Sequence, residues 1–148
     1  MQIEQVDNDG GAFLAVLAPG EELISSLESF ANEHAKGRYV NFTGVGAISH
    51  AHLLAFDFDA MQYQDSVVLD DQAEIAALTG NIGEYDGGPL VHAHLVIGRR
   101  DGTALGGHVK TALIRPTCEI TLFVHDSAAV KRIDPDWHAP LYKLTETR

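Results

Sequence analysis

The stretch that most constrains this chain is Val91-His-Ala-His-Leu-Val-Ile97, followed by Gly98-Arg-Arg-Asp-Gly102 and then by Gly106-Gly-His108. Successive side chains of a strand point to opposite faces. His92, His94 and Val96 therefore share one face, and Ala93, Leu95 and Ile97 the other. Arg99-Arg-Asp-Gly102 is hairpin chemistry, because Asp-Gly tolerates the positive φ that tight turns need. Strands pairing about residue 100 or 101 bring His108 opposite or diagonal to His92 and His94, on their face. Three imidazoles then converge on one point of a sheet, which suits a divalent metal with an open coordination position.

With 148 residues the chain is expected to form one domain, 1–148, long enough to bury a core that needs no disulfide or structural metal. Cys118 is the one cysteine, which excludes an internal disulfide and suits a reducing cytosol. The first residues are acidic and polar rather than basic and then apolar, so no signal peptide is expected. No apolar run approaches membrane-spanning length. The expectation is a soluble, cytoplasmic protein. The net charge is −11, and the ten Lys and Arg are scattered, with Arg99-Arg100 and Lys131-Arg132 the only adjacent basic pairs. A fold that grips nucleic acid by its phosphates needs a basic face, and this chain shows none. Glycines 44, 46, 80, 106 and 107 form no phosphate loop, because no helix follows them.

In chain order, Phe13–Leu17 reads as a short strand ending at Pro19-Gly20. Glu21–Lys36 reads as the principal helix: Leu23, Ile24, Leu27, Phe30 and Ala31 recur on one face, Glu21 and Glu22 occupy the first turn, and Gly37 closes it. Arg38–Ser49 is strand-like, with a bulge or close backbone approach marked by Gly44 and Gly46. Ala51–Phe58 and Asp65–Leu69 are further strands, the latter at an edge. Glu74–Asn81 is readable as helix or as strand. Val91–Gly98 and Thr103–Ile114 form the histidine hairpin. A turn is expected at Arg115-Pro116. Thr117–His125 then alternates, with Cys118, Ile120, Leu122 and Val124 on one face and Glu119, Thr121, Phe123 and His125 on the other. Val130–Ile133 and Leu141–Leu144 are short edge segments. The fold class is α+β, mainly an antiparallel twisted sheet packed with one principal helix.

Other residues invite a role. Glu119 shares a sheet with the three histidines and is a candidate general base or ligand-orienting group, against the plainer reading of an edge charge facing water. Cys118 points the opposite way and reads as a core thiol. His50-Ala-His52 repeats the His-x-His pattern and reads as a solvated or interface pair. Lys131-Arg132 reads as an exposed pair, although it could bind an anion.

Gly20-Glu-Glu-Leu, Thr43-Gly-Val-Gly-Ala-Ile-Ser49, Glu74-Ile…Leu78-Thr-Gly-Asn-Ile82, Gly88-Pro-Leu-Val-His-Ala-His94, Gly106-Gly-His108 and Glu119-Ile together resemble the plants-and-prokaryotes-conserved family, the PPC domain. The six motifs run in consistent order from about Phe13 to Leu144. The resemblance implies an antiparallel sheet packed with a helix, a strand at Glu74–Asn81, a homotrimer, and zinc or another divalent ion held by His92, His94 and His108. The family's pattern does not place histidine at His50 and His52. Plant members carry AT-hook segments and act on chromatin, whereas this chain has no Arg-Gly-Arg-Pro motif and no basic arm. The fold is also similar to that of acetolactate decarboxylase, a zinc enzyme, an analogy that carries no reaction with it. The expected functions are therefore a metal-binding module with a gene-regulatory role or a metal-dependent enzyme acting on a small oxygen-bearing substrate. A small molecule at the metal is a candidate partner, and direct DNA binding is disfavoured by charge.

Overall fold

Alternating apolar residues carry most of the chain into strands. The computed structural model describes residues 1–7 and 10–143. Within them the order is β1 (Gln2–Gln5), β2 (Ala12–Leu17), α1 (Leu23–Phe30), a π-helical turn (Ala31–Ala35), β3 (Arg38–Asp57), β4 (Gln62–Leu69), β5 (Ala73–Tyr85), β6 (Gly88–Gly98), β7 (Ala104–Ala128), β8 (Lys131–Ile133) and β9 (Pro140–Tyr142). Seven strands form one antiparallel sheet in the order β1-β2-β7-β6-β5-β3-β4, and β8 pairs with β9. Because β3 pairs with both β5 and β7, while β6 joins β5 to β7, these four strands close on themselves. β1 and β4 are left as edges. No helix among the described residues is long and apolar enough to cross a membrane.

The inner face is apolar. Ala93, Leu95 and Ile97 of β6 meet Cys118, Ile120 and Leu122 of β7 and Val40 and Phe42 of β3 in one buried cluster, as the alternation requires. Helix α1 adds Leu23, Leu27 and Phe30, all fully buried. Ile24 is only half-buried. The helix begins later than the acidic pair suggests. Glu22 is the N-cap in extended conformation, and its carboxylate accepts from the Ile24 and Ser25 amides. Glu21 lies outside the helix and pairs with the amino terminus. At the other end the last turn widens to π-helix, Lys36 adopts the left-handed conformation at φ 52°, and Gly37 follows at φ 83°.

Two expected boundaries are not breaks. Arg38–Ser49 and Ala51–Phe58 are one continuous strand of 20 residues. Gly44 and Gly46 mark a register shift within it. Gly46 has φ 153°, and a Cβ there would meet the Thr117 carbonyl oxygen at 2.3 Å, so the glycine permits the close approach of β7. The expected turn at Arg115-Pro116 is likewise absorbed into β7, a strand of 25 residues. The register passes from Gly46↔Cys118 to Ile48↔Ile114, so residues 115–117 bulge opposite one residue of β3. The Arg115–Pro116 peptide is cis. Glu74–Asn81 lies in strand β5. Leu141 and Tyr142 belong to β9, while Leu144 lies outside the described residues.

Candidate metal centre

The β6–β7 hairpin pairs His94 with His108, Val96 with Gly106 and Gly98 with Ala104, which centres it on residue 101. Gly102 sits at φ 81°, and Asp101 accepts from the Thr103 amide and hydroxyl, locking the turn. His108 is also the residue at which β7 leaves β6. It pairs with His94 on one side and Leu54 of β3 on the other. Gly107 permits that crowding, since a Cβ there would lie 2.8 Å from the Leu54 carbonyl oxygen. On the outer face the three imidazoles converge as the alternation predicts.

One nitrogen from each of His92, His94 and His108 lies within 4.8 Å of the others. The Nε2 atoms of His92 and His94 are 3.2 Å apart. Two nitrogens bound to one tetrahedral zinc at the usual bond length are separated by about 3.3 Å, so this pair already has ligand spacing. The Nδ1 of His108 is buried and has no hydrogen-bond partner. Such an orphan is uncommon in a folded chain, and a bound ion is one way to satisfy it. Burial pushes the His108 imidazole down to about 4, helped by His92, His94 and Lys131. His92 is also lowered, by burial and then by the charges of Lys131 and His94. Neutral imidazole is the form that binds metal, so the residues present fit a borderline divalent ion held by nitrogen ligands.

The surroundings include residues that the sequence did not single out. Tyr63 of β4 stacks on His108 with ring centroids 4.4 Å apart. Thr79, Gly80 and Asn81 of β5, with His92 and His94, line an open depression of about 200 Å³. Asn81 is the register partner of His92, and its Oδ1 accepts from the Tyr142 hydroxyl at 2.9 Å. Lys131 lies with its ammonium 4.9 Å from the Tyr142 ring centre. It is only 4% exposed, which corrects the reading of Lys131-Arg132 as an exposed pair; Arg132 alone is exposed. Burial pushes the Lys131 ammonium down to about 8. Asn81 could have been found by extending the hairpin register to the neighbouring strand. In the sequence Lys131 reads only as one of an exposed pair that could bind an anion. Its burial beside Tyr142 is not readable there, because it depends on the β8–β9 hairpin, whose entering segment is tied to β5 through Glu84 N–H donating to the Ala129 carbonyl. A larger cleft of about 380 Å³ lies between the π-helical turn and the β5–β6 connection, away from the histidines.

The remaining candidates lie elsewhere. Glu119 is exposed and pairs with Val16 of β2 and Val45 of β3, so β3 and β5 separate it from β6. The structure does not bring it to the histidines. Cys118 is fully buried, and burial followed by the Glu119 charge pushes its thiol up to about 12. His50 and His52 each find a carboxylate: His50 Nδ1 is 2.6 Å from Asp70, and His52 Nε2 is 2.7 Å from Asp65.

Sheet topology and histidine placement define an antiparallel-sheet domain with a histidine triad at the fork between two strands. Residues 4–126 match the Plants and Prokaryotes Conserved (PCC) domain, and the chain belongs to that family. A curated relative, the bifunctional protein GlmU of Synechococcus sp. strain JA-3-3Ab, is 36% identical over 107 residues, which cover 72% of this chain but only 16% of that protein. Among solved structures, a protein of Bacteroides thetaiotaomicron provisionally described as DNA-binding superposes with TM-score 0.87 at 26% identity, over 96% of each chain. A metal-containing protein of Archaeoglobus fulgidus gives TM-score 0.82 at 25% identity over 97% of each chain. Acetolactate decarboxylase of Bacillus subtilis subspecies spizizenii shares the fold at TM-score 0.56 and 12% identity, over 78% of this chain and 53% of that one.

Proposed function

We propose that this chain is a metal-binding protein of the family, with one zinc-type divalent ion held by His92, His94 and His108. The observation that carries this reading is the convergence of three imidazole nitrogens within 4.8 Å, one of the rings having a buried, unpartnered Nδ1. The metal-containing Archaeoglobus relative supports it. Three neutral ligands leave a position free for water or a small molecule. A bound ion would supply Lewis acidity there. The chain's own contribution is to favour neutral His92 and His108 by burial, to clamp His108 under Tyr63, and to present Asn81 beside His92.

A homotrimer belongs to the same proposal. Two open edges, β1 and β4, and outward apolar side chains such as Phe58, 70% exposed, are surfaces that association would cover. The Bacteroides relative's description connects this fold with DNA. Direct grip on a duplex is disfavoured here, since each chain carries −11 and three carry −33. An enzyme acting on a small oxygen-bearing substrate is the second reading, favoured by the open depression beside His92 and His94.

Elemental analysis of purified protein tests the metal reading. One ion per chain is expected in the parent and in His50→Ala, and none in His92→Ala or His108→Ala. A fully loaded His92→Ala variant would defeat the assignment.

A further inference from the structure

Resting on that metal reading, we infer that Lys131 is an anion-recognition group of the histidine site, and that the small molecule taken there is a carboxylate. The starting point is a lysine folded into the protein with no carboxylate beside it among the described residues. Lys131 is 4% exposed, and among the described residues no carboxylate lies within salt-bridge distance of it and no acceptor takes its hydrogen bonds. The Tyr142 ring face, 4.9 Å away, attracts the charge and leaves the ammonium N–H donors available to a ligand.

Its neighbours turn that deficit toward the site. Tyr142 hydrogen-bonds Asn81, and Asn81 is the cross-strand partner of His92. Lys131 thus stands at the end of the rung that carries a candidate ligand. A divalent ion on three neutral imidazoles adds two positive charges beside this third one. The triad contains no carboxylate of its own, so an anion is needed to balance the cluster. A hydroxide on the metal would serve the ion alone. A carboxylate has two oxygens, which allows one to face the ion and the other to face the ammonium. Phosphate is the poorer match, because a dianion calls for several donors, and the depression itself is lined by neutral Thr79 and Asn81, with Lys131 placed behind Tyr142.

Cobalt(II)-loaded protein titrated with acetate tests this, since visible absorption of the metal reports its ligands without any assay of turnover. Acetate is expected to change the spectrum saturably, isosteric acetamide to leave it unchanged, and inorganic phosphate to bind more weakly. Lys131→Met should retain stoichiometric cobalt and lose at least about tenfold in acetate affinity, the scale expected when one partner of a buried charge pair is removed. Lys131→Arg should restore most of it. Equal acetate affinity in the parent and Lys131→Met, or acetamide binding as well as acetate in the parent, would overturn the inference while leaving the metal reading intact. Tighter binding of phosphate than acetate would overturn the ligand class. If the parent takes up no cobalt, the metal reading fails and this inference fails with it.

Discussion

His94 and His108 face one another across the β6–β7 ladder, and the same residue, His108, pairs on its other side with Leu54. The candidate centre is therefore built by backbone register. His92 is two residues from His94 on the same face, and neither depends on a loop for its position.

Leu27 is fully buried in the middle of the apolar face of α1. Leu27→Ala should cost about 2–5 kcal/mol of stability, the usual range for a buried leucine truncated to alanine. Urea denaturation checks it, and a loss under about 0.5 kcal/mol would mean that the helix contributes little to the core.

Glu22 does two jobs at once. It caps α1, and its Oε1 also accepts from the Ala112 amide and the Thr111 hydroxyl of β7, both at 3.2 Å. Burial works against its ionised form, yet the bonds from Ser25, Ile24 and Ala112 outweigh it and leave its pKa lowered. Glu22→Ala removes a cap and strands a half-buried amide, so a loss of about 2–4 kcal/mol is expected in the same denaturation experiment. A surface-like change within about 0.5 kcal/mol would refute the link to β7.

Metal-free protein should weaken in mild acid. His108 is lowered to about 4 from the ordinary 6.5, and His92 is lowered in the same direction. Between those values the unfolded chain binds more protons than the folded one, so folding stability falls as pH drops through that window and is retained above it. Carboxylates with lowered values, such as Asp65, add a loss at still lower pH. Comparing urea midpoints of parent and His108→Gln at pH 7.5, 5.5 and 4.5 separates the two. The parent should lose more between the first and the last, and parallel curves would show that His108 is not the group responsible.

Sedimentation at micromolar concentration should give a species of three chains. A monomer would remove the trimer, and the exposed β1 and β4 edges would then need another explanation.

The hairpin was legible because its information is local: a period-two pattern, an Asp-Gly turn and a pairing centre at residue 101. The outward and inward faces of Thr117–His125 were legible for the same reason. What the sequence hid was long-range. The break expected between Ser49 and Ala51 and the turn expected at Arg115-Pro116 are absent, since the β3–β7 ladder carries the chain through them as bulges, which local chemistry cannot show. Gly44 and Gly46, by contrast, were legible as the close approach they are. Strand β1, Gln-Ile-Glu-Gln, has hardly any apolar pattern and exists because β2 offers it an edge. Around the histidines, Tyr63 reaches His108 only through the β4 register, which shifts at Leu53/Leu54, and Lys131 is buried only because β8 folds back beside β5. Those placements carry no sequence signature.

The closed circuit of strands has a seam. β6 and β7 stay paired only from Gly98↔Ala104 to His94↔His108, after which β7 turns to β3 and β6 continues with β5. His92 and His94 stand on one lip of the opening and His108 on the other. An ion shared among them would bridge the two lips at the point where they part, resisting the local breathing that opens a barrel long before it unfolds. Its removal would then register first as faster amide exchange along residues 104–108, with the distant core of α1 unmoved.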